Sequence, residues 1–157
     1  MAFAPSNMQI EIPAFAAGNA IPKRFTAEGE NVSPAMSWRG APAETAAFAV
    51  VCHDPDAPLV QNGIYGFVHW VLYNLDASTT ELTENTDIGS IGPNDFGEHG
   101  YGGPMPPENH GTHHYYFWVL ALDKALSLPD GLSLTELLEK VEPHLIGMDR
   151  LIGTYER

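Results

Sequence analysis

The chain has 157 residues, of which 44 % are apolar, so it can bury the core of one ordinary domain, which we expect over residues 1–157. Twenty acidic against seven basic residues give a formal net charge of −13, which excludes nucleic acid and anionic lipid surfaces as partners attracted by the overall field. The longest apolar run, Ala46 to Cys52, is far shorter than the roughly 20 residues that cross a bilayer. No signal peptide is visible, and the single cysteine fits a reducing compartment. We therefore expect a cytoplasmic protein without a transmembrane segment.

The first third of the chain predicts two strands separated by a loop. Met8, Ile10 and Ile12 alternate with polar residues and stop at Pro13, which is the pattern of a strand. Residues 13–43 are rich in proline and glycine and predict loop with short edge strands. The run from Ala46 to Cys52 predicts a central strand that leads into a turn.

Two further strands are predicted at Tyr65–Tyr73 and His113–Leu122, because both are rich in aromatic and β-branched residues. A period of two places alternate side chains on one face of each strand. The shared faces are then Phe67, His69, Val71 and Tyr73 in the first strand, and His113, Tyr115, Phe117 and Val119 in the second.

Between these strands, residues 85–112 form a segment of 28 residues with eleven glycines or prolines. Loops of this length in compact domains are usually functional or disordered. The prolines of the run Gly102–Pro107 fix several φ angles, so we expect a rigid, functional loop. We also expect at least one cis X-Pro bond in the chain.

One helix is predicted late in the chain. Ser133 and Glu136 form a capping box, and apolar residues follow at helical spacing until Pro143. A closing strand is predicted at Leu151 to Tyr155.

Polar residues at the strand ends predict a pocket beside the Gly/Pro loop. Asp54 and Asp56 follow the central strand, where the ordinary interpretation is a turn whose carboxylates accept backbone N–H groups. A histidine such as His69 inside an apolar strand is more often a satisfied core residue than a ligand. His113 begins its strand beside Tyr115, which offers a phenolic donor. Each signal is weak alone, but together they describe two imidazoles, two carboxylates, a phenol and loop N–H groups.

Several motifs occur together in one order, and this order resembles the phosphatidylethanolamine-binding protein family, in particular its prokaryotic branch similar to Raf kinase inhibitor protein. The resemblance covers nearly the whole chain. Its motifs are Cys52-His53-Asp54-Pro55-Asp56-Ala57-Pro58, Val68-His69-Trp70, Asn94-Asp95-Phe96-Gly97, Tyr101 to Pro107, His113-His114-Tyr115 and Leu151-Ile152-Gly153-Thr154-Tyr155.

The resemblance implies a mainly β fold of two antiparallel sheets with a C-terminal helix. It also implies a pocket for phosphate, acetate or phosphoryl head groups, no cofactor, and a homodimer. The candidate ligand-binding residues are Asp54, Asp56, His69, Gly103, Pro106, His113 and Tyr115. The chain departs from the family pattern at His114, where arginine is common, at Met105, where cysteine is common, and at Glu108-Asn109, where Lys-Gly is common.

The leading functional hypothesis is a binding module without catalysis, whose partner is a small anionic or phosphoryl ligand. Protonated or donating His69 and His113 would hold the anion, while Asp54 and Asp56 orient the imidazoles. One alternative is a His/Asp-dependent hydrolase, which lacks an evident nucleophile because Cys52 lies inside a strand and no Gly-x-Ser-x-Gly motif occurs. Another is an inhibitor of a protein partner such as a protease or kinase, acting through the same pocket.

Metal binding is a further alternative, because imidazole suits zinc or copper and five histidines occur near acidic residues. Against it, no pair of these histidines is supported by a third well-spaced ligand, so we expect no metal. The five are His53, His99, His110, His113 and His114.

Overall fold

The computed structural model describes residues 7–58, 60–61 and 64–157. Its regular structure is mostly antiparallel strand, with one α-helix near the end. The elements in chain order are β1 (Gln9–Glu11), β2 (Met36–Arg39), β3 (Ala47–Asp54), β4 (Val60–Gln61), β5 (Ile64–Tyr65), β6 (Phe67–Asp76), β7 (Glu81–Leu82), β8 (Ser90–Ile91), β9 (His113–Leu122), α1 (Leu134–Val141) and β10 (Leu145–Tyr155).

The strands form two main antiparallel sheets. The larger sheet has the order β10-β9-β3-β6-β8, and the smaller one has the order β1-β2-β7. β4 and β5 make a separate two-stranded ribbon. Two antiparallel sheets with a late helix are the fold class expected from the sequence, which is confirmed. Among the described residues no helix is long and apolar enough to span a bilayer.

β3 is the central strand of the large sheet, as its apolar run predicted. Its odd and even residues enter two different cores, because both faces of the sheet are covered. Phe48, Val50 and Cys52 lie in the core that includes residues of the small sheet, such as Met36 and Trp38. Ala47, Ala49 and Val51 lie in the core against α1. A strand buried on both faces reads as a continuous apolar run, which is why it was visible in the sequence.

α1 begins where the capping box placed it. The Ser133 side chain accepts a hydrogen bond from the Glu136 backbone N–H, and the Glu136 side chain accepts one from the Ser133 N–H. Leu134, Leu137 and Val141 are buried against the large sheet. The helix passes into a 3₁₀ turn, Glu142–His144, which contains the proline. The closing strand β10 is longer than the predicted residues 151–155, since it starts at Leu145.

A β-bulge changes the predicted faces of β6. Cys52 pairs with Trp70, whereas the next residue of β3, His53, pairs with Val68, so His69 has no opposite residue. The expectation that His69 shares a face with Val71 and Tyr73 is therefore wrong. Val71 and Tyr73 belong to the helix-side core. His69 instead lies against Tyr115 on the other face, with ring centroids 5.1 Å apart.

The alternation predicted for β9 is correct. Tyr115, Phe117 and Val119 all lie in the core away from the helix. His113 continues this face and is buried at the strand's start. The expectation of a cis X-Pro bond is not met within the described part of the chain, where every peptide bond is trans.

Candidate functional site

A cavity of about 240 Å³ lies where β3, β6 and β9 meet the Gly/Pro loop. Five of the seven residues predicted for the site line it, although they are far apart in the sequence. The lining residues are Asp54, Ala57, Pro58, Phe67, His69, Phe96, Met105, Pro106, Pro107, His113 and Tyr115. The other two predicted residues, Asp56 and Gly103, lie beside the cavity but are not among its lining residues.

His113 is held by partners at both ring nitrogens. Its Nδ1 lies 2.7 Å from Asp54 Oδ2, and both side chains are buried. Since a carboxylate accepts, Nδ1 is the donor. The other nitrogen, Nε2, lies 2.7 Å from His110 Nδ1, and in a neutral His113 ring it accepts the hydrogen bond that His110 Nδ1 donates. The chain Asp54–His113–His110 positions His113, but it leaves neither ring nitrogen of His113 free for a ligand.

His110 was not predicted as a site residue, although the sequence places it only three positions before His113. The signal that could have found it is this spacing, which lets a short loop fold back on the start of a strand. The two rings lie 5.0 Å apart between centroids.

The metal hypothesis included His110 as one of five histidines near acidic residues. Within residues 7–58 and 64–157 no three His, Cys, Asp or Glu side chains are arranged to hold a metal ion.

Asp56 orients a different histidine from the one expected. Its Oδ2 accepts hydrogen bonds from both the backbone N–H and the Nδ1 of His114, each at 2.7 Å. Burial acts to raise the pKa of Asp56, but these bonds hold it below its ordinary value. The backbone N–H of Asp56 in turn donates to Asp54 Oδ1 at 2.8 Å. Both carboxylates thus accept backbone N–H groups, as the ordinary turn interpretation stated, and only Asp54 orients a cavity imidazole.

His69 lies in the cavity as a neutral acceptor, which corrects the expectation of a protonated residue. Its Nδ1 lies 2.6 Å from the Gly102 carbonyl oxygen and must donate, because a carbonyl only accepts. Burial lowers the pKa of His69 to about 4, outweighing the opposing effects of Gly102 and Asp54. At neutral pH its Nε2 therefore carries a lone pair. The sequence predicts a protonated or donating histidine here, and the one N–H of neutral His69 donates to the Gly102 carbonyl oxygen.

Tyr115 supplies a donor that no described residue of the protein uses. Its hydroxyl is buried and has no hydrogen-bond partner, although the residue lines the cavity. Burial, followed by the charge of Asp54, raises the pKa of the phenol far above its usual range, so the proton stays on oxygen. Buried polar groups without a partner are rare in native proteins, and a water, an ion or a ligand in the cavity would satisfy this one.

The Gly/Pro loop is fastened to the rest of the protein by its own backbone N–H groups. Gly102 N donates to His69 O at 2.9 Å, and Gly103 N donates to Asn31 Oδ1 at 2.7 Å. Gly103 also packs closely against the backbone of Phe25, because the Phe25 carbonyl oxygen occupies the space that a Cβ at position 103 would need. Prolines have no N–H to offer. Loop N–H groups at 102 and 103 are therefore not available to a ligand, contrary to the sequence expectation.

Aromatic rings form the remaining wall of the cavity. Phe67 lies 4.8 Å from His69 and 4.7 Å from Phe96 between ring centroids. Phe96 is held by the motif at residues 94–97, because Asn94 Oδ1 accepts from its backbone N–H at 3.0 Å. Phe67 and Phe96 were not predicted as site residues. The wall makes the cavity largely apolar, with a few polar atoms at fixed positions, as is usual for small-molecule sites.

Cys52 does not supply a nucleophile to this cavity. It is buried in the core on β3, and burial, followed by the charge of Asp54, raises the pKa of its thiol well above the usual range. A thiol that stays protonated is a poor nucleophile. In this position Cys52 packs as a small buried hydrophobe.

Comparison with known proteins places the whole chain in one family. The family model for phosphatidylethanolamine-binding protein matches residues 11–156. The UPF0098 protein of Methanothermobacter thermautotrophicus is 41 % identical over 157 residues, covering 96 % of this chain and 99 % of that protein. The crystal structure of the phosphatidylethanolamine-binding protein homologue CT736 from Chlamydia trachomatis has a TM-score of 0.87 and 37 % identity, covering 96 % of this chain and 97 % of the other.

The crystal structure of YbcL from Escherichia coli, described as a member of the mammalian family, has a TM-score of 0.88 and 29 % identity, covering 97 % of this chain and 99 % of YbcL. The matches extend over both sheets, the helix and every segment that lines the cavity. The chain therefore belongs to the phosphatidylethanolamine-binding protein family.

Proposed function

We propose that this protein binds a small phosphoryl or carboxyl group in the cavity and that the group is bound together with a proton. The observation that carries the proposal is the buried Tyr115 hydroxyl, a donor without a partner in the part of the chain that the structure describes. Beside it lies neutral His69, whose Nε2 accepts. A group with both O and O–H, such as a hydrogen phosphate, satisfies both atoms at once.

The nearby negative charge also favours a protonated ligand. Asp54 lines the cavity, and its two oxygens already accept from His113 and from the Asp56 backbone. A fully ionised phosphate would face this carboxylate without a fixed cation among the lining residues. A ligand that keeps one proton carries less charge and donates to His69. The apolar wall of Phe67 and Phe96 suits a substituent on the phosphoryl group.

No catalytic step is part of this proposal. Among the lining residues no serine, threonine or cysteine is available as a nucleophile. The hydrogen bonds of Asp54 and His110 to His113 fix the orientation of the His113 ring beside Tyr115, and they leave no ring nitrogen of His113 for the ligand.

The bond between His110 and His113 can be tested by its effect on stability. Replacing His110 by Ala leaves His113 Nε2 buried without its partner. We expect His110→Ala to lower the free energy of unfolding by about 1 kcal/mol, as measured with urea. His99→Ala, at an exposed position, is the control and should change it much less.

The test of the proposal is calorimetric titration with phosphoethanolamine at about pH 6.5. Tyr115→Phe removes the donor and keeps the ring, and we expect it to weaken binding at least about tenfold, since a hydrogen bond to a charged group contributes about 1.5–3 kcal/mol. Tyr65→Phe is the matched control because Tyr65 is exposed and lies outside the cavity. Unchanged affinity in Tyr115→Phe, or an equal loss in both variants, would overturn the proposal.

A further inference from the structure

A second concave surface lies on the opposite face of the large sheet from the cavity. It is a groove of about 460 Å³ between α1 and the outer faces of β3, β9 and β10. Its lining residues are Val51, His53, Trp118, Leu120, Leu134, Leu138, Val141, Glu142, Leu145 and Met148. The proposed phosphoryl site uses none of them, so the groove is a separate feature of the molecule.

The groove is apolar and partly open to solvent. Leu138 projects from α1 with 41 % of its surface exposed, which is unusual for a residue in the apolar stripe of a helix. Trp118, Leu145 and Met148 are only half-buried. His53 adds little polarity, because its Nε2 is already within 2.7 Å of the Tyr65 carbonyl oxygen. Apolar concave surfaces of a few hundred Å³ are typical of ligand sites.

A cation lies next to this groove, where it contacts the lining residue Trp118. The Arg150 guanidinium stacks on Trp118 at 5.4 Å and on Tyr116 at 5.6 Å from the ring centroids. In the described part of the chain Arg150 has no hydrogen-bond or ion-pair partner, whereas Arg24 and Arg157 each contact two carboxylates. An arginine without a carboxylate is notable in a chain whose net charge is −13. Its donors are therefore available to an external anion.

The single acidic residue among the lining residues lies away from this cation. Glu142 belongs to the 3₁₀ turn that leads into Leu145. Leu145 pairs with Leu122 and Arg150 pairs with Trp118, and because β10 has a bulge after Leu145 this span corresponds to four residues of β9, or roughly 13 Å of extended strand. The groove thus runs from an acidic end to a basic end across an apolar floor, which gives an elongated ligand a defined direction.

We propose that this groove binds a single-chain amphiphile with one anionic head, of which a fatty acid is the simplest example. The alkyl chain lies along Leu138, Leu120 and Met148, and the carboxylate pairs with Arg150. A second copy of the chain is a poorer occupant, since each copy brings a net charge of −13 to the contact. A small amphiphile brings a single charge, and that charge meets the one unpaired guanidinium of this rim.

The test is titration of the full chain with decanoate, measured by calorimetry and by intrinsic tryptophan fluorescence, to which half-buried Trp118 contributes together with the buried Trp38 and Trp70. We expect hexanoate to bind at least about tenfold more weakly, because each buried methylene adds to the apolar area removed from water. Arg150→Met keeps an apolar stem without the charge, and we expect it to weaken decanoate at least about tenfold while leaving decanol nearly unchanged. Leu138→Gln, a tolerated exchange on an exposed helix position, should weaken both. Lys140→Gln on the same helix is the control.

Three outcomes would overturn the proposal. Equal effects of Arg150→Met on decanoate and decanol, or none on either, would show that Arg150 does not hold the head group. Displacement of decanoate by saturating phosphate would place the ligand in the other cavity. A dimer in light scattering that Leu138→Gln dissociates would show that a second copy fills the groove.

Discussion

If the phosphoryl ligand binds together with a proton, its affinity must depend on pH. The pH range of this dependence shows whether the proton lies on the ligand or on His69. His69 is neutral above about pH 5, because burial lowers its pKa to about 4. Its Nε2 then accepts a hydrogen bond from the P–OH group of the ligand. A phosphomonoester loses its last proton with a pKa of about 6. Above that pH each binding event must recover one proton from solution.

The expected magnitude follows from this single proton. The complex holds one more proton than the separate components, so the affinity falls as pH rises. One proton corresponds to tenfold, or about 1.36 kcal/mol, for each pH unit. Between pH 7 and pH 9 phosphoethanolamine should therefore lose about 100-fold in affinity, or about 2.7 kcal/mol. Below about pH 6 the dependence should become flat.

Calorimetry at pH 7, 8 and 9, in two buffers with different ionisation enthalpies, measures both the affinity and the number of protons taken up. Sulfate is the control ligand, because it has the shape of phosphate but carries no proton in this range. We expect sulfate to bind weakly at all three pH values. Constant phosphoethanolamine affinity from pH 7 to 9, or sulfate binding as tight as phosphoethanolamine, would refute the assignment of His69 as a neutral acceptor.

Three other predictions concern stability and use urea unfolding. Tyr115→Phe should leave the free energy of unfolding unchanged or raise it by about 1 kcal/mol, since the lost hydroxyl has no partner among residues 7–58 and 64–157; a clear loss would reveal one. The pKa of His69 is lower in the folded state, so the unfolded chain binds more protons at acidic pH and stability falls as pH drops from about 6.5 to about 4. About 2 kcal/mol should be lost between pH 7.5 and 5, and His69→Gln should remove that part of the slope; an unchanged slope would contradict it. Ser133→Ala should cost about 1 kcal/mol by breaking the capping box with Glu136, whereas Glu139→Gln on the same helix should cost much less, and equal effects would count against the cap.

The sequence alone determined the elements whose signals are local. Three such signals are the apolar run at residues 46–52, the capping box at Ser133 and the period-two pattern from His113. Each depends on which side chains of one short segment are buried or exposed, or on a hydrogen bond within that segment. Such patterns depend on a few neighbouring residues, and the structure contains β3, α1 and β9 where they were expected. The order of the family motifs added the identity of most cavity residues.

Only the tertiary structure decided how those residues are used. The bulge at His69 turns the ring toward Tyr115, and an extra residue in a strand cannot be read from alternation alone. The protonation of His69 depends on how much of its surroundings is protein, which is a property of packing across the chain. Likewise His110 reaches His113, and Asp56 reaches His114, through contacts that depend on loop paths. Sequence patterns record local periodicity, whereas charge state and hydrogen-bond partners depend on distances between segments brought together by folding.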